Sequence, residues 1–210
     1  FETFGPVLCH GISVMPGKPT VVAVAQGGEF HGRLLVGAPG YPVSAVVCLE
    51  DVLEPIARWL VRQELPGRRM IRARLARKTP SRPGMEEVVR LAVGRVGEGY
   101  VAAPLARGAG LITSLTKAQA VTRIPVDCEG LAQDEIIEAE LLVPPAGLSR
   151  VLVHIGSHDN ILDLLANELM GLPEPLRLVS SHVGSMGGLT AHKNDSAHFA
   201  GCHLFDPETS

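Results

Sequence analysis

No apolar run in this 210-residue sequence reaches the ~18 residues needed to span a bilayer. The N-terminus likewise lacks the basic, apolar and cleavage regions of a secretory signal. Charge of one sign is also missing. Nineteen Lys and Arg against 22 Asp and Glu leave a net charge of -3, which argues against a nucleic-acid footprint or a polybasic membrane patch. The four cysteines, Cys9, Cys48, Cys128 and Cys202, form no CxxC pair. They are expected to be free thiols in a cytoplasmic protein rather than a disulfide or metal set. What is present is enough apolar content, 46%, to build a core. Phe1 begins inside an apolar stretch and Ser210 follows a turn-like Asp206-Pro207, so the chain is expected to be cut at both ends.

Three segments follow from the patterning. Residues 1–66 hold two short apolar runs, Thr20 to Ala25 and Arg33 to Val36, which read as buried strands flanking the turn Gln26–Glu29. An amphipathic helix is predicted from Val43 to Arg62, with Pro42 in its first turn and a kink at Pro55. This is strand, loop and helix of an α/β layer. In residues 67–145, Ile71 to Arg77 alternates apolar and basic residues. Further strands are predicted at Val88–Val96, Tyr100–Ala103, Ala120–Pro125 and Glu135–Val143, making a small all-β, barrel-like domain without a helix. Pro144 to Gly147 reads as a linker. Residues 146–210 return to α/β, with strands at Arg150–Ile155, Leu176–His182 and Ala197–Leu204. A helix from Ile161 follows the first of them, with Ser157 as its N-cap candidate, Asp159 in its first turn and a stop at Gly171. These are too few elements to close a core of their own.

Two loops carry candidate chemistry. In Pro16-Gly17-Lys18-Pro19 the prolines fix the backbone, the glycine admits close approach and the lysine offers a cation; a merely rigid turn is the alternative. Pro39-Gly40-Tyr41-Pro42-Val43-Ser44 lies between a strand and a helix, where backbone N–H groups can face an anion.

Taken in this order, the two loops resemble the end of the molybdopterin-binding domain of MoeA- and gephyrin-type molybdopterin molybdenumtransferases. Arg107 to Leu115, Ile124-Pro125 and Glu129-Gly130-Leu131 are similar to the C-terminal β domain of that family. The resemblance implies a fold made of the end of a three-layer α/β molybdopterin-binding domain followed by a β barrel. It also implies insertion of molybdate into adenylylated molybdopterin with release of AMP, a Mg2+ cofactor and a homodimer. Carried onto this chain, Lys18 would be catalytic, neutralising phosphate or molybdate charge. Pro16, Gly17, Pro19, Pro39, Gly40, Pro42 and Ser44 would line the site. Two positions depart from the family pattern: Met15 stands where a lysine is common, and Tyr41 where asparagine is usual.

From about Arg150 the chain resembles a periplasmic-binding-protein-like domain, related to molybdate-binding proteins and LysR effector domains. The phrases are His154 to Asp159, His182 to Leu189 and His198 to Leu204. Ser157 and Ser185, each after a strand and before a helix, would aim hydroxyls and N–H groups at one oxyanion, with Met186 and Gly187 beside them; plain helix capping is the alternative. Six of the eight histidines fall here; there is no HxH, and the HxxxH pair His154 and His158 runs across a strand end rather than along one face, so histidines buried at strand ends or lining a pocket are expected rather than a metal site. The rival to a molybdotransferase is a non-catalytic protein that binds or senses molybdate or another small ligand.

Overall fold

The structure, a computed structural model, describes residues 3–205. The first segment contains β1 (Val7–His10), β2 (Val14–Met15), β3 (Val21–Val24) and β4 (Leu34–Gly37). β1, β3 and β4 make a three-stranded antiparallel sheet. The two predicted strands are therefore present, yet half-buried rather than buried. The helical stretch is interrupted. α1 (Pro42–Cys48) passes through a π-helical turn, Leu49–Leu53, into α2 (Glu54–Leu60). Pro55 cannot donate to the turn before it and its ring crowds that turn; the widened π segment, in which Glu54 N–H reaches Leu49 O, absorbs both defects.

The second segment is a closed barrel. Its strands are β5 (Met70–Leu75), β7 (Glu86–Val96), β8 (Gly99–Pro104), β9 (Ala120–Ile124) and β11 (Ile136–Leu141). They run in the order β7-β8-β5-β11-β9, and β9 pairs back onto β7. A short hairpin-like pairing of β6 (Thr79–Pro80) with β10 (Gly130–Leu131) sits beside them, and β2 adds to β7 in parallel. Alternation sends Val89, Leu91 and Val93 of β7 inward with Leu75, Ala102, Ile124 and Ile137. A helix absent from the sequence expectation, α3 (Ile112–Lys117), lies between β8 and β9. Nor is Pro144–Gly147 a linker. It opens a 3-10 turn, Pro145–Arg150, whose Leu148 is 1% exposed and packs in the barrel core.

The last segment has β12 (Val151–Gly156), α4 (Ile161–Met170), β13 (Arg177–His182) and α5 (Gly184–Lys193), with β12 and β13 parallel. Its missing second layer is the outer face of the barrel. Val151, Val153, Ile155 and Val179 pack on Ala92, Val96, Val101 and Ala103. At the closest point, a Cβ on Gly94 would lie 2.5 Å from Val153 Cγ2, so only glycine lets β12 cross β7 there. β7 is thus buried on both faces, as its long apolar run Val-Val-Arg-Leu-Ala-Val requires.

Ala197–Leu204 does not form the expected third strand. It lies along β12 through His198 N to Val153 O (2.9 Å) and Ser157 N to Gly201 O (2.9 Å), but its only ladder pair is His154 with Phe199. Imidazoles take the intervening backbone donors: Val153 N–H donates to His198 Nδ1 (2.9 Å) and Gly201 N–H to His154 Nε2 (3.0 Å).

Candidate functional site

The Pro16–Pro19 loop is a tight turn held by its own backbone. Gly17 O accepts from Thr20 N (3.0 Å) and from the buried Thr20 hydroxyl (2.8 Å), and Ile12 N donates to Lys18 O (2.9 Å). Gly17 has φ +135 and a Cβ there would stand 3.2 Å from Val47 of α1, so the loop lies flush on the helix only with glycine. Lys18 is left exposed at the tip. In the second loop Pro42 starts α1 with its φ preset, and Val43 N–H donates to Ala109 O (3.0 Å) of the barrel. That bond ties the two segments together beside the buried Ser44.

The loops meet the barrel around a cleft of about 810 Å3, a size that suits a cofactor-like ligand. Pro16, Gly17, Lys18, Pro19 and Ser44 line one side. Pro39, Gly40 and Pro42 do not line it; Pro39 is buried and shapes the loop from behind. Both departures from the family pattern, Met15 and Tyr41, are at the wall. The barrel side supplies residues that the sequence reading missed: Ser81, Arg82, Arg90 and Arg107. With Lys18 these are four cations against one lining carboxylate, Glu87, whose Oε1 is taken by Arg107 Nη1 at 2.6 Å. Arg90 is 7% exposed; burial lowers its basicity and the charge of Glu50 offsets part of that. A guanidinium nonetheless stays charged at neutral pH. The Ser81 hydroxyl is buried with no partner in the protein, a group that a bound ligand or water would satisfy. The run Lys78-Thr79-Pro80-Ser81-Arg82-Pro83-Gly84 carried the signal, with basic and hydroxyl side chains set between turn residues.

An ionic clamp fixes helix against barrel. Arg123 of β9 bonds Asp51 of the π turn (2.6 and 3.1 Å) and Glu86 of β7 (2.6 Å). Burial works against its charge, and the hydrogen bonds it donates to the Asp51 and Glu86 carboxylates outweigh burial, so its pKa is raised. Beside it, burial pushes the Glu50 carboxyl up.

In the last segment the two predicted serines do converge. Their hydroxyls share a hydrogen bond of 2.8 Å, and Ser185 Oγ also accepts from His203 N–H (3.1 Å). Ser157 is not the N-cap of α4: the helix begins at Ile161, whose N–H is taken by Asp159 Oδ1 at 2.8 Å. Met186 and Gly187 lie in the first turn of α5, and Met186 is exposed. Most of the histidines are structural. The fully buried His154 accepts from Gly201 N–H at Nε2, so Nδ1 holds the proton and donates to Ser180 Oγ (2.8 Å). The His158 and His182 rings pack at a tilt, their centroids 4.4 Å apart and their planes at 58°. Among the described residues no three His, Cys, Asp or Glu side chains are placed to hold a metal.

Burial, then the neighbouring His182, lower the pKa of His154; burial, then His158 and Arg77, lower that of His182. The unfolded chain therefore takes up these protons first as pH falls. Their contribution to stability is full above the ordinary histidine value of about 6.5 and is lost as pH drops through the depressed folded values. Glu50, raised by burial, acts with the opposite sign, favouring the fold at acid pH. The histidine effect is isolated by comparing His154→Gln with the parent in urea. The stability gap between them should narrow from pH 7.5 to pH 5.5, and a constant gap would refute the linkage.

No helix among the described residues is long and apolar enough to cross a membrane. Residues 72–142 match the family described as the MoeA C-terminal region (domain IV), and residues 166–210 match the PBP superfamily domain. No curated protein matches the chain. Among solved structures it is similar to a molybdenum cofactor biosynthesis protein from Pyrococcus furiosus, with 26% identity, a TM-score of 0.52, and cover of 66% of this chain and 46% of the other. Two structures of a molybdopterin biosynthesis MoeA protein from Pyrococcus horikoshii are also similar. One is 25% identical with a TM-score of 0.51 and cover of 67% and 33%. The other is 30% identical with a TM-score of 0.52 and cover of 68% and 34%. The chain thus spans less than half the length of each of these relatives.

Proposed function

We infer, from a chain that carries a MoeA C-terminal region joined to a PBP superfamily segment, a role in molybdenum cofactor biosynthesis. The reaction we propose is insertion of molybdate into adenylylated molybdopterin with release of AMP. The observation that carries it is the convergence of both proline–glycine loops with three barrel arginines on one cleft. Lys18, at the tip of a turn that is rigid before any ligand arrives, would neutralise the phosphate or molybdate charge. Arg82 and Arg107 would face it from the barrel. Ser44 and the orphaned Ser81 hydroxyl would supply neutral hydrogen bonds.

Magnesium, which the family implies, does not fit the cleft residues of this chain. The one lining carboxylate, Glu87, is committed to Arg107, and Mg2+ is held through carboxylates and substrate phosphates. We further propose a cytoplasmic homodimer of units 1–66, 67–145 and 146–210, with oxyanion binding by Ser157 and Ser185.

In an assay of molybdate insertion with the full-length protein, Lys18→Ala is expected to lower turnover by about 10²-fold, the usual cost of removing one preorganised charge-stabilising group. Unchanged turnover would remove Lys18 from the mechanism. Met15 and Tyr41 on the cleft wall favour a second reading, in which the protein binds or senses molybdate without turnover. Heat on titration with molybdate, together with no insertion by the unmodified protein, would select it.

A further inference from the structure

A second recess, of about 140 Å3, opens between the turn 77–80 that leaves β5 and the run 104–107 that leaves β8. Its two walls are pinned to each other reciprocally. Arg77 Nη2 donates to the Pro104 carbonyl at 2.8 Å, and Arg107 Nη1 donates to the Pro80 carbonyl at 2.7 Å. Arg77 is thereby held in place by one N–H and Arg107 by its bonds to Pro80 and Glu87, while a guanidinium has five N–H groups to offer. Lys78 adds a third cation. Glu87 engages Arg107, but among the described residues no carboxylate lies within 4 Å of Arg77 or Lys78. The recess is too small for a nucleotide or a pterin, which occupy several hundred cubic ångströms. At about 30 Å3 per water it holds the equivalent of four or five, which suits one tetrahedral anion. It also adjoins the cleft, with which it shares Pro80, Leu105, Ala106 and Arg107.

We propose that this recess is a second oxyanion site, which takes one free tetrahedral dianion of the molybdate, sulfate or phosphate class beside the cleft. Arg77 and Arg107 present planar donor pairs from opposite walls and Lys78 supplies a mobile point charge. The site shares Arg107 with the cleft, but Arg77 and Lys78 belong to the recess alone and Lys18 to the cleft alone, so variants at these three positions separate the two readings.

Isothermal titration of the full chain at low salt, with molybdate and separately with sulfate, tests it. Lys78→Gln removes only an exposed charge, and Arg77→Gln removes a pinned guanidinium. Each is expected to weaken one bound oxyanion by about tenfold, while Lys18→Ala weakens a different one. Titrations in which Lys78→Gln and Arg77→Gln both bind as the parent does would overturn the assignment. Displacement of that oxyanion by AMP at comparable concentration would also overturn it, because the occupant would then be a nucleotide phosphate. Absence of any Lys18-dependent equivalent would count against the cleft reading and leave the recess standing.

Discussion

Gly94→Val is expected to destabilise the protein by about 1–3 kcal/mol, the usual range for forcing extra atoms into a packed core. The upper end applies because the first added atom already meets Val153 Cγ2 at 2.5 Å and Val151 Cγ1 at 3.2 Å. β12 and β7 cannot both keep their places, and the weaker partner is the two-stranded β12–β13 pair. Urea midpoints report the loss. Hydrogen exchange locates it: protection should fall in Val151–Gly156 while the barrel amides of β5 and β11 keep theirs. Gly67→Ala is the control, since its Cβ enters open space and the substitution only restricts the unfolded chain. Equal midpoints for Gly94→Val and the parent would mean that the trailing segment does not rest on the barrel.

The clamp at Arg123 gives the other large effect. Arg123→Met leaves Asp51 and Glu86 facing each other's surroundings without a cation, and their side chains are 16% and 33% exposed. Breaking a fully buried pair costs about 3–5 kcal/mol. Partial exposure of all three groups reduces the expectation to about 2 kcal/mol. Lysine should not rescue it, because one guanidinium spans two carboxylates that a point charge cannot reach together. Double-mutant cycles with Asp51→Asn and Glu86→Gln should return coupling energies of the same sign. A cycle that is additive would show that the helix is held by Val47 against Val88 and Val121 and by the Val43 N–H bond to Ala109, without help from the clamp.

The barrel was legible because its strands obey a period of two. Ile71, Ala73 and Leu75 alternate with arginines, and the register of β5 against β11 follows that alternation. Its closure was not legible, since the pairing of β9 with β7 joins residues from Leu91 with Ala120 to Glu87 with Ile124, far apart in the chain and with no local signal. Six-residue α3 escaped notice because its Thr-Ser composition has little helix preference; its local props are Ser114 Oγ donating to Leu111 O and Thr116 Oγ1 donating to Thr113 O. Pro55 announced a defect in the helix without saying that a π turn would absorb it. In the cleft, the loops Pro16–Pro19 and Pro39–Ser44 stood out by their punctuation. Arg82, Arg90 and Arg107 did not, because surface arginines are common and only the fold brings these three to face Lys18. The serines at 157 and 185 each follow a strand and meet across the β–α boundaries, while the imidazole-to-backbone bonds of His154 and His198 depend on side-chain placement that spacing does not encode.

The two-sided burial of β7 bears on how such a protein can be assembled from parts. A barrel whose outer face shows Ala92, Gly94, Val96, Val101 and Ala103 is already shaped for its passenger. Cut the passenger away near Leu142 and that face becomes a greasy, flat patch, a site for self-association. Recombination that joins these two units must therefore alter the barrel as well as append a sequence. A relative whose chain stops after the barrel should bear polar residues at those positions, so the small residues of β7 and β8 are themselves a mark of fusion.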